Sequence, residues 1–120
     1  RDAGNISCIF ANHFSKADMI DINFTNASLI DQTKLILVSF GAPWCSACTA
    51  QSRLLENIAD FPENILLASI NVGENRFLAQ KYAIGTIPDL ILFREGRMVK
   101  RYGQINNAQQ LLHELKQIDQ

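Results

Sequence analysis

The chain has 120 residues, 48% of them hydrophobic, with a formal net charge of −1; that suffices for one domain with one core, not a comfortable second, and excludes disorder through the body. Basic residues are scattered rather than gathered in a stripe, so no nucleic-acid partner is expected. No window approaches ~18 nearly uninterrupted apolar residues, and no n-region leads into a long apolar h-region, so neither a membrane span nor a signal sequence is read.

The first residue is Arg1 rather than Met. A leader or other residues are therefore expected to have been removed, or else Met19 is the original start and residues 1–18 are a vector or precursor remnant. Residues 1–18 read as an N-terminal extension or extra element before a domain over 19–120. Their apolar patch, Ile6, Cys8, Ile9 and Phe10, suits either an added strand or a small packed helix. After Met19, apolar and polar residues alternate from Ile20 to Phe24, the pattern of a half-buried strand. Thr25 or Asn26 is placed to cap a short helix over Ala27 to Gln32.

The run Leu35 to Val38 is apolar, as a strand covered on both faces should be. Gly41 and Pro43 stop it, and Cys45 and Cys48 follow with C-x-x-C spacing. Leu54, Leu55, Ile58 and Phe61 then carry helical periodicity towards Pro62. A cysteine at a helix start faces free backbone N–H groups and the positive end of the helix dipole, which favour thiolate. Two cysteines at this spacing can close a small disulfide ring, one capturing a partner's sulfur and the other resolving the mixed intermediate. Half of a zinc or iron–sulfur site uses the same spacing. Outside the pair only Cys8, His13 and His113 are available as Cys or His ligands, and none forms a second C-x-x-C. Dithiol exchange is the leading reading, beside metal binding and an inert structural pair.

Ile65 to Val72 reads as another interior strand, so strand–helix–strand suggests a parallel βαβ unit. A short helix over Asn75 to Tyr82 is expected to set Phe77 and Leu78 against the sheet. After Gly85 to Pro88, Asp89–Arg94 and Met98–Tyr102 flank Glu95-Gly96 as an antiparallel hairpin. Ala108, Leu111, Leu112, Leu115 and Ile118 form the stripe of a final amphipathic helix capped by Asn106 or Asn107, with His113 at its solvent edge. Tyr82, Phe93 and Tyr102 read as packing residues, and Lys81, Arg94, Arg97, Lys100 and Arg101 as a solvated face. The result is an α/β domain, a mixed sheet with helices on both faces.

Trp44-Cys45-Ser46-Ala47-Cys48, preceded by a hydrophobic strand and followed about forty residues later by Ile87-Pro88, resembles the thioredoxin family from about Met19 to Ile118. The resemblance implies a thioredoxin-like fold, with Cys45 the exposed nucleophile and Cys48 the more buried resolving thiol. It implies Trp44 on a substrate-facing rim and Pro88 as a cis-proline that leaves the Ile87 backbone free to pair with an extended substrate. The function implied is thiol–disulfide exchange with disulfide-containing proteins, as a monomeric reductase reset by a thioredoxin-reductase-like or other thiol donor. That chemistry requires no metal, flavin or nucleotide cofactor. The compartment expected is the cytoplasm, or the periplasm or exterior if a leader has been removed. A thioredoxin-fold binding or chaperone-like module with little turnover is the alternative.

Five positions depart from the family's pattern. Ser46 and Ala47 replace the usual Gly-Pro between the cysteines, so a reduction potential different from that of typical thioredoxin is expected. Asp89 replaces a common threonine; a carboxylate facing the sulfur would disfavour thiolate and acidic partners. Ser39 and Ser69 stand where many members carry a buried aspartate and a lysine. Serine has no pKa suited to general-base work near neutral pH, so Cys48 must lose its proton to water or through Cys45, giving slower or differently pH-dependent exchange. As ordinary core hydroxyls the two serines would have no such consequence. Ser39→Asp is expected to alter the pH–rate profile of disulfide reduction, and an unchanged profile would remove the missing-base effect.

Overall fold

Each residue from Leu35 to Phe40 is buried, because this strand has a neighbour on either edge and helices above and below. The structure, a computed structural model, describes residues 19–118. The described elements are β1 (Ile20–Ile22), α1 (Ser28–Gln32), β2 (Ile36–Gly41), α2 (Ser46–Glu56), β3 (Leu66–Asn71), α3 (Arg76–Lys81), β4 (Asp89–Arg94), β5 (Arg97–Arg101) and α4 (Ala108–Lys116). They form a five-stranded mixed sheet ordered β1-β3-β2-β4-β5. β3 pairs in parallel with β1 and β2, while β4 runs antiparallel to β2 and β5. The expected parallel unit and final hairpin are both present. The expectation for residues 1–18, Cys8 and His13 included, lies outside the described residues.

Strand alternation divides the core into two layers. Leu35, Leu37, Leu67, Leu90 and Leu92 pack with Leu55 of α2 and Leu111, Leu112 and Leu115 of α4. Ile36, Val38, Phe40, Ile91 and Phe93 pack on the other face with Ile30 of α1, Leu78 of α3 and Tyr82. Tyr82 meets Phe93 edge-on at 4.9 Å between centroids. Burial pushes its phenol above the ordinary 10.0, partly offset by Lys81, so it serves as a neutral packing residue. Gln51 on α2 is buried yet satisfied: its amide donates to the Gly103 carbonyl at 3.3 Å and accepts from the Ile105 N–H at 2.8 Å. α2 is thereby tied to the segment leading into α4.

Several boundaries differ from the sequence reading. β1 stops at Ile22 because the next residues turn on their own side chains: Asn26 accepts from the Asn23 N–H at 2.7 Å and donates to the Asp21 carbonyl at 3.1 Å. Asn26 is thus spent on the turn and does not cap α1, whose N-cap residue is Ala27 without a side-chain bond. α2 ends at Glu56, and Ile58 and Phe61 reach the core from the segment beyond it. Phe77 is 72% exposed whereas Leu78 is 3% exposed: adjacent helical residues point ~100° apart, and α3 turns Leu78, not Phe77, to the sheet. Asn107 is the α4 cap, accepting from the Gln109 and Gln110 N–H groups. The Glu95-Gly96 turn holds both residues at positive φ, 51° and 86°, as a two-residue hairpin of this hand requires.

Asp89 begins β4 on the same face as Ile91 and Phe93 and is buried. Its carboxylate accepts from the Leu90 N–H at 2.9 Å and from Arg101 Nη1 at 2.6 Å, while Arg101 Nη2 donates to the Tyr82 carbonyl at 2.7 Å. Arg101 is therefore a structural cation joining β5 to β4 and to the end of α3, not part of a merely solvated face. Removing it would leave a buried carboxylate without its counter-charge. Arg101→Ala is expected to cost about 2–3 kcal/mol, below the ~3–5 of a fully buried pair, because the arginine side chain is 36% exposed. Urea denaturation checks this, and a change under ~0.5 kcal/mol would reduce the pair to an ordinary surface contact.

Candidate redox site

The central strand ends at Gly41, and Ala42 to Cys45 form a turn in which the Cys45 N–H donates to the Ala42 carbonyl at 3.1 Å. Proline suits the second position of such a turn because its φ is already set; here that residue is Pro43. Cys45 is the N-cap residue of α2, with extended backbone at φ −101° and ψ 107°. Its Sγ accepts from the Cys48 N–H at 3.1 Å, the contact that a serine or aspartate oxygen makes at a helix start. In the reduced protein this donor and the helix dipole favour negative charge on Cys45.

Cys45 and Cys48 are joined in a disulfide, with Cα atoms 5.2 Å apart. Cys45 is half-buried, Cys48 is buried and Trp44 beside them is 75% exposed. Gly41 lies directly beneath: a Cβ built there would come within 2.9 Å of Cys48 Cβ and 3.1 Å of its Sγ. The strand end must lack a side chain for the second sulfur to sit where it does. The Ile87–Pro88 bond is cis, the isomer that the resemblance implied. Among the described residues no three His, Cys, Asp or Glu side chains converge as a metal-binding group, and His113 lies on α4, near Gln117.

Two concavities flank the disulfide. One, about 310 Å³, is lined by Trp44 and Ile87 together with Val72, Ile84, Ala79 and Arg76. The other, about 210 Å³, lies behind Cys48 and is walled by Ser39, Ser69, Asp21, Thr49 and Ser52. Ser39 pairs with Ser69, and Ser69 with Asp21, in the parallel registers of β2, β3 and β1, so the three lie in one row across the sheet. Asp89 occupies the opposite face, turned to Arg101 instead of this cavity.

Trp44, Ile87, Ser39 and Ser69 are thus gathered around the cysteines, whereas the carboxylate of Asp89 is engaged elsewhere. Sequence reading missed Asp21, which it treats only as the polar position of an alternating strand, and it missed Gly41 as a close approach and Arg101 as the partner of Asp89. The alternation does assign Asp21 to the face of Met19. Which residue stands beside it depends on register, which local pattern cannot supply.

Residues 16–117 match the Thioredoxin family model. A thioredoxin of Chlamydia pneumoniae is 40% identical over 67 residues, covering 56% of this chain and 66% of its own. One from Alicyclobacillus acidocaldarius is 38% identical over 84 residues, covering 69% and 78%. Among solved structures, thioredoxin from Malassezia sympodialis aligns with a TM-score of 0.72 at 20% identity over 85% of this chain and 91% of that one. Thioredoxin from Trypanosoma brucei brucei gives 0.71 at 23% identity over 84% and 90%. With the fold, the paired sulfurs and the match along most of its length in agreement, the chain belongs to the thioredoxin family and is a thiol–disulfide oxidoreductase.

Proposed function

We propose that the chain reduces disulfides in protein substrates, with Cys45 as the attacking sulfur and Cys48 as the resolving one. The observation that carries this division is the unequal placement of the two sulfurs: Cys45 is half-buried at the loop exit while Cys48 is buried against Gly41. Cys45 thiolate attacks one sulfur of a substrate disulfide; the new bond joins Cys45 to the substrate, and the other substrate sulfur leaves as thiolate and takes up a proton. Cys48 then attacks Cys45 Sγ, the mixed disulfide breaks, and the second substrate thiolate departs. Two electrons have passed to the substrate, and the chain is left as the Cys45–Cys48 disulfide.

Trp44 and Ile87 on the wall of the 310 Å³ groove supply an apolar docking surface beside the attacking sulfur, and the backbone before Pro88 is read as the partner of an extended substrate segment. Asp89, in this reading, supports that segment by anchoring β4 through Arg101. Ser46 and Ala47 tune the helix start and hence the potential. The working unit is residues 19–120 as a monomer, with residues 1–18 an extension. A thioredoxin-reductase-like or other thiol donor resets it, in the cytoplasm.

Insulin reduction by dithiothreitol tests the reading. The unmodified chain should accelerate it and Cys45→Ser should lose at least ~100-fold of that acceleration, while Cys48→Ser should accumulate mixed disulfides with protein substrates. No acceleration by the unmodified chain would favour a binding module instead. Gly41→Ala forces Cys48 away from the strand end, so it should slow release of the mixed disulfide by about tenfold or more while iodoacetamide alkylation of Cys45 stays within about threefold. Equal effects on both would show that Gly41 does not act through Cys48.

A further inference from the structure

The reaction requires Cys48 to give up a proton in a buried setting, and the two strand residues nearest in the row, Ser39 and Ser69, are hydroxyls without a basic state near neutral pH. The same cavity nevertheless reaches a carboxylate. Asp21 of β1 lines it and is exposed to solvent. Its backbone is fixed by the Asn26 amide, which donates to the Asp21 carbonyl at 3.1 Å. Neighbouring strands are ~4.8 Å apart, so Asp21, two strands from Ser39, lies about 10 Å away across the sheet. That is too far for one hydrogen bond. Ser69 stands between them in the row, however, and 210 Å³ is many times the space that one water needs.

We propose that Asp21 is the terminal proton acceptor for Cys48, reached across the cavity through the Ser39 and Ser69 hydroxyls and water. This rests on the exchange reading above. As Cys48 Sγ attacks Cys45 Sγ, the S48–S45 bond forms and the bond from Cys45 to substrate breaks, its electron pair leaving on the substrate sulfur. The Cys48 proton passes to the nearest hydroxyl or water, each member of the chain hands on one proton as it receives one, and the last is held on the Asp21 carboxylate until solvent removes it. A hydroxyl both donates and accepts, which is the property a relay needs and an apolar side chain lacks. Of the residues facing the cavity, Asp21 from β1 and Cys48 from α2 are the ionisable ones; β2 and β3 contribute Ser39, Ser69 and Asn71, and α2 adds Thr49 and Ser52. The charged α2 residues Arg53 and Glu56 are exposed and do not line it.

The test uses the reduced full chain, with Cys8→Ser so that no third thiol reports, mixed in stopped flow with the aromatic disulfide 5,5′-dithiobis(2-nitrobenzoate). Capture by Cys45 releases one thionitrobenzoate, and resolution by Cys48 releases the second. Asp21→Asn should slow the second phase about tenfold at neutral pH and flatten its low-pH limb, with the first phase within about twofold. Asp21→Glu should restore both rate and profile, and Ser69→Ala should reproduce the slow second phase with Asp21 intact. A second phase unchanged in rate and pH profile in Asp21→Asn would overturn the relay, as would equal slowing of both phases, the mark of a structural role. Failure of the unsubstituted chain to give a first phase would instead overturn the exchange reading itself.

Discussion

The site depends on how closely the first turn of α2 sits on the end of the central strand. Cys48 can approach because residue 41 has no side chain: a Cβ there would stand 2.9 Å from that of Cys48. β2 is itself immobilised, with β3 and β4 on its edges and buried side chains on both faces. A strand so held fixes the helix start, and the helix start fixes both sulfurs, one as N-cap and one a turn further in. The reacting geometry is thus an outcome of core packing, which is the arrangement under which a site on a short loop keeps its shape.

The same sheet sorts polar groups by face. Towards α2, the row from Asp21 through Ser69 to Ser39 borders a cavity that opens behind the buried sulfur. On the opposite face, Asp89 is buried beside Ile91 and Phe93 and held by its partly exposed Arg101 counter-charge. Its carboxylate therefore does not share the cavity of Cys48, and the concern that it would oppose thiolate there is met by the parity of β4. The groove carrying Trp44 and Ile87 gives the disulfide a different surrounding on its other side, with Val72, Ala79 and Ile84 beside the polar Arg76 and Gln80.

Departures from local pattern have specific causes. The turn after β1 uses Asn26 side-chain bonds that would otherwise have capped α1. Phe77 stays in solvent because α3 presents Leu78 to the core. Arg101 reads as one of several hairpin cations, yet it is set apart by facing Asp89 across the β4–β5 pair. In each case local composition permits two outcomes; for Asn26 the choice is made by a competing turn within five residues, and for Phe77 and Arg101 by the way an element packs or by a group distant in sequence.

Local sequence by itself determined the central strand, the C-x-x-C at a helix start, the hairpin at Glu95-Gly96 and the amphipathic final helix. Each of these follows from periodicity, turn chemistry or spacing within a few residues. Tertiary structure alone decided that Asp21, Ser69 and Ser39 form one row, that Gly41 lies under Cys48 and that Asp89 belongs to Arg101. These juxtapositions depend on strand register and order, where a shift by one residue would send each side chain to the other face of the sheet.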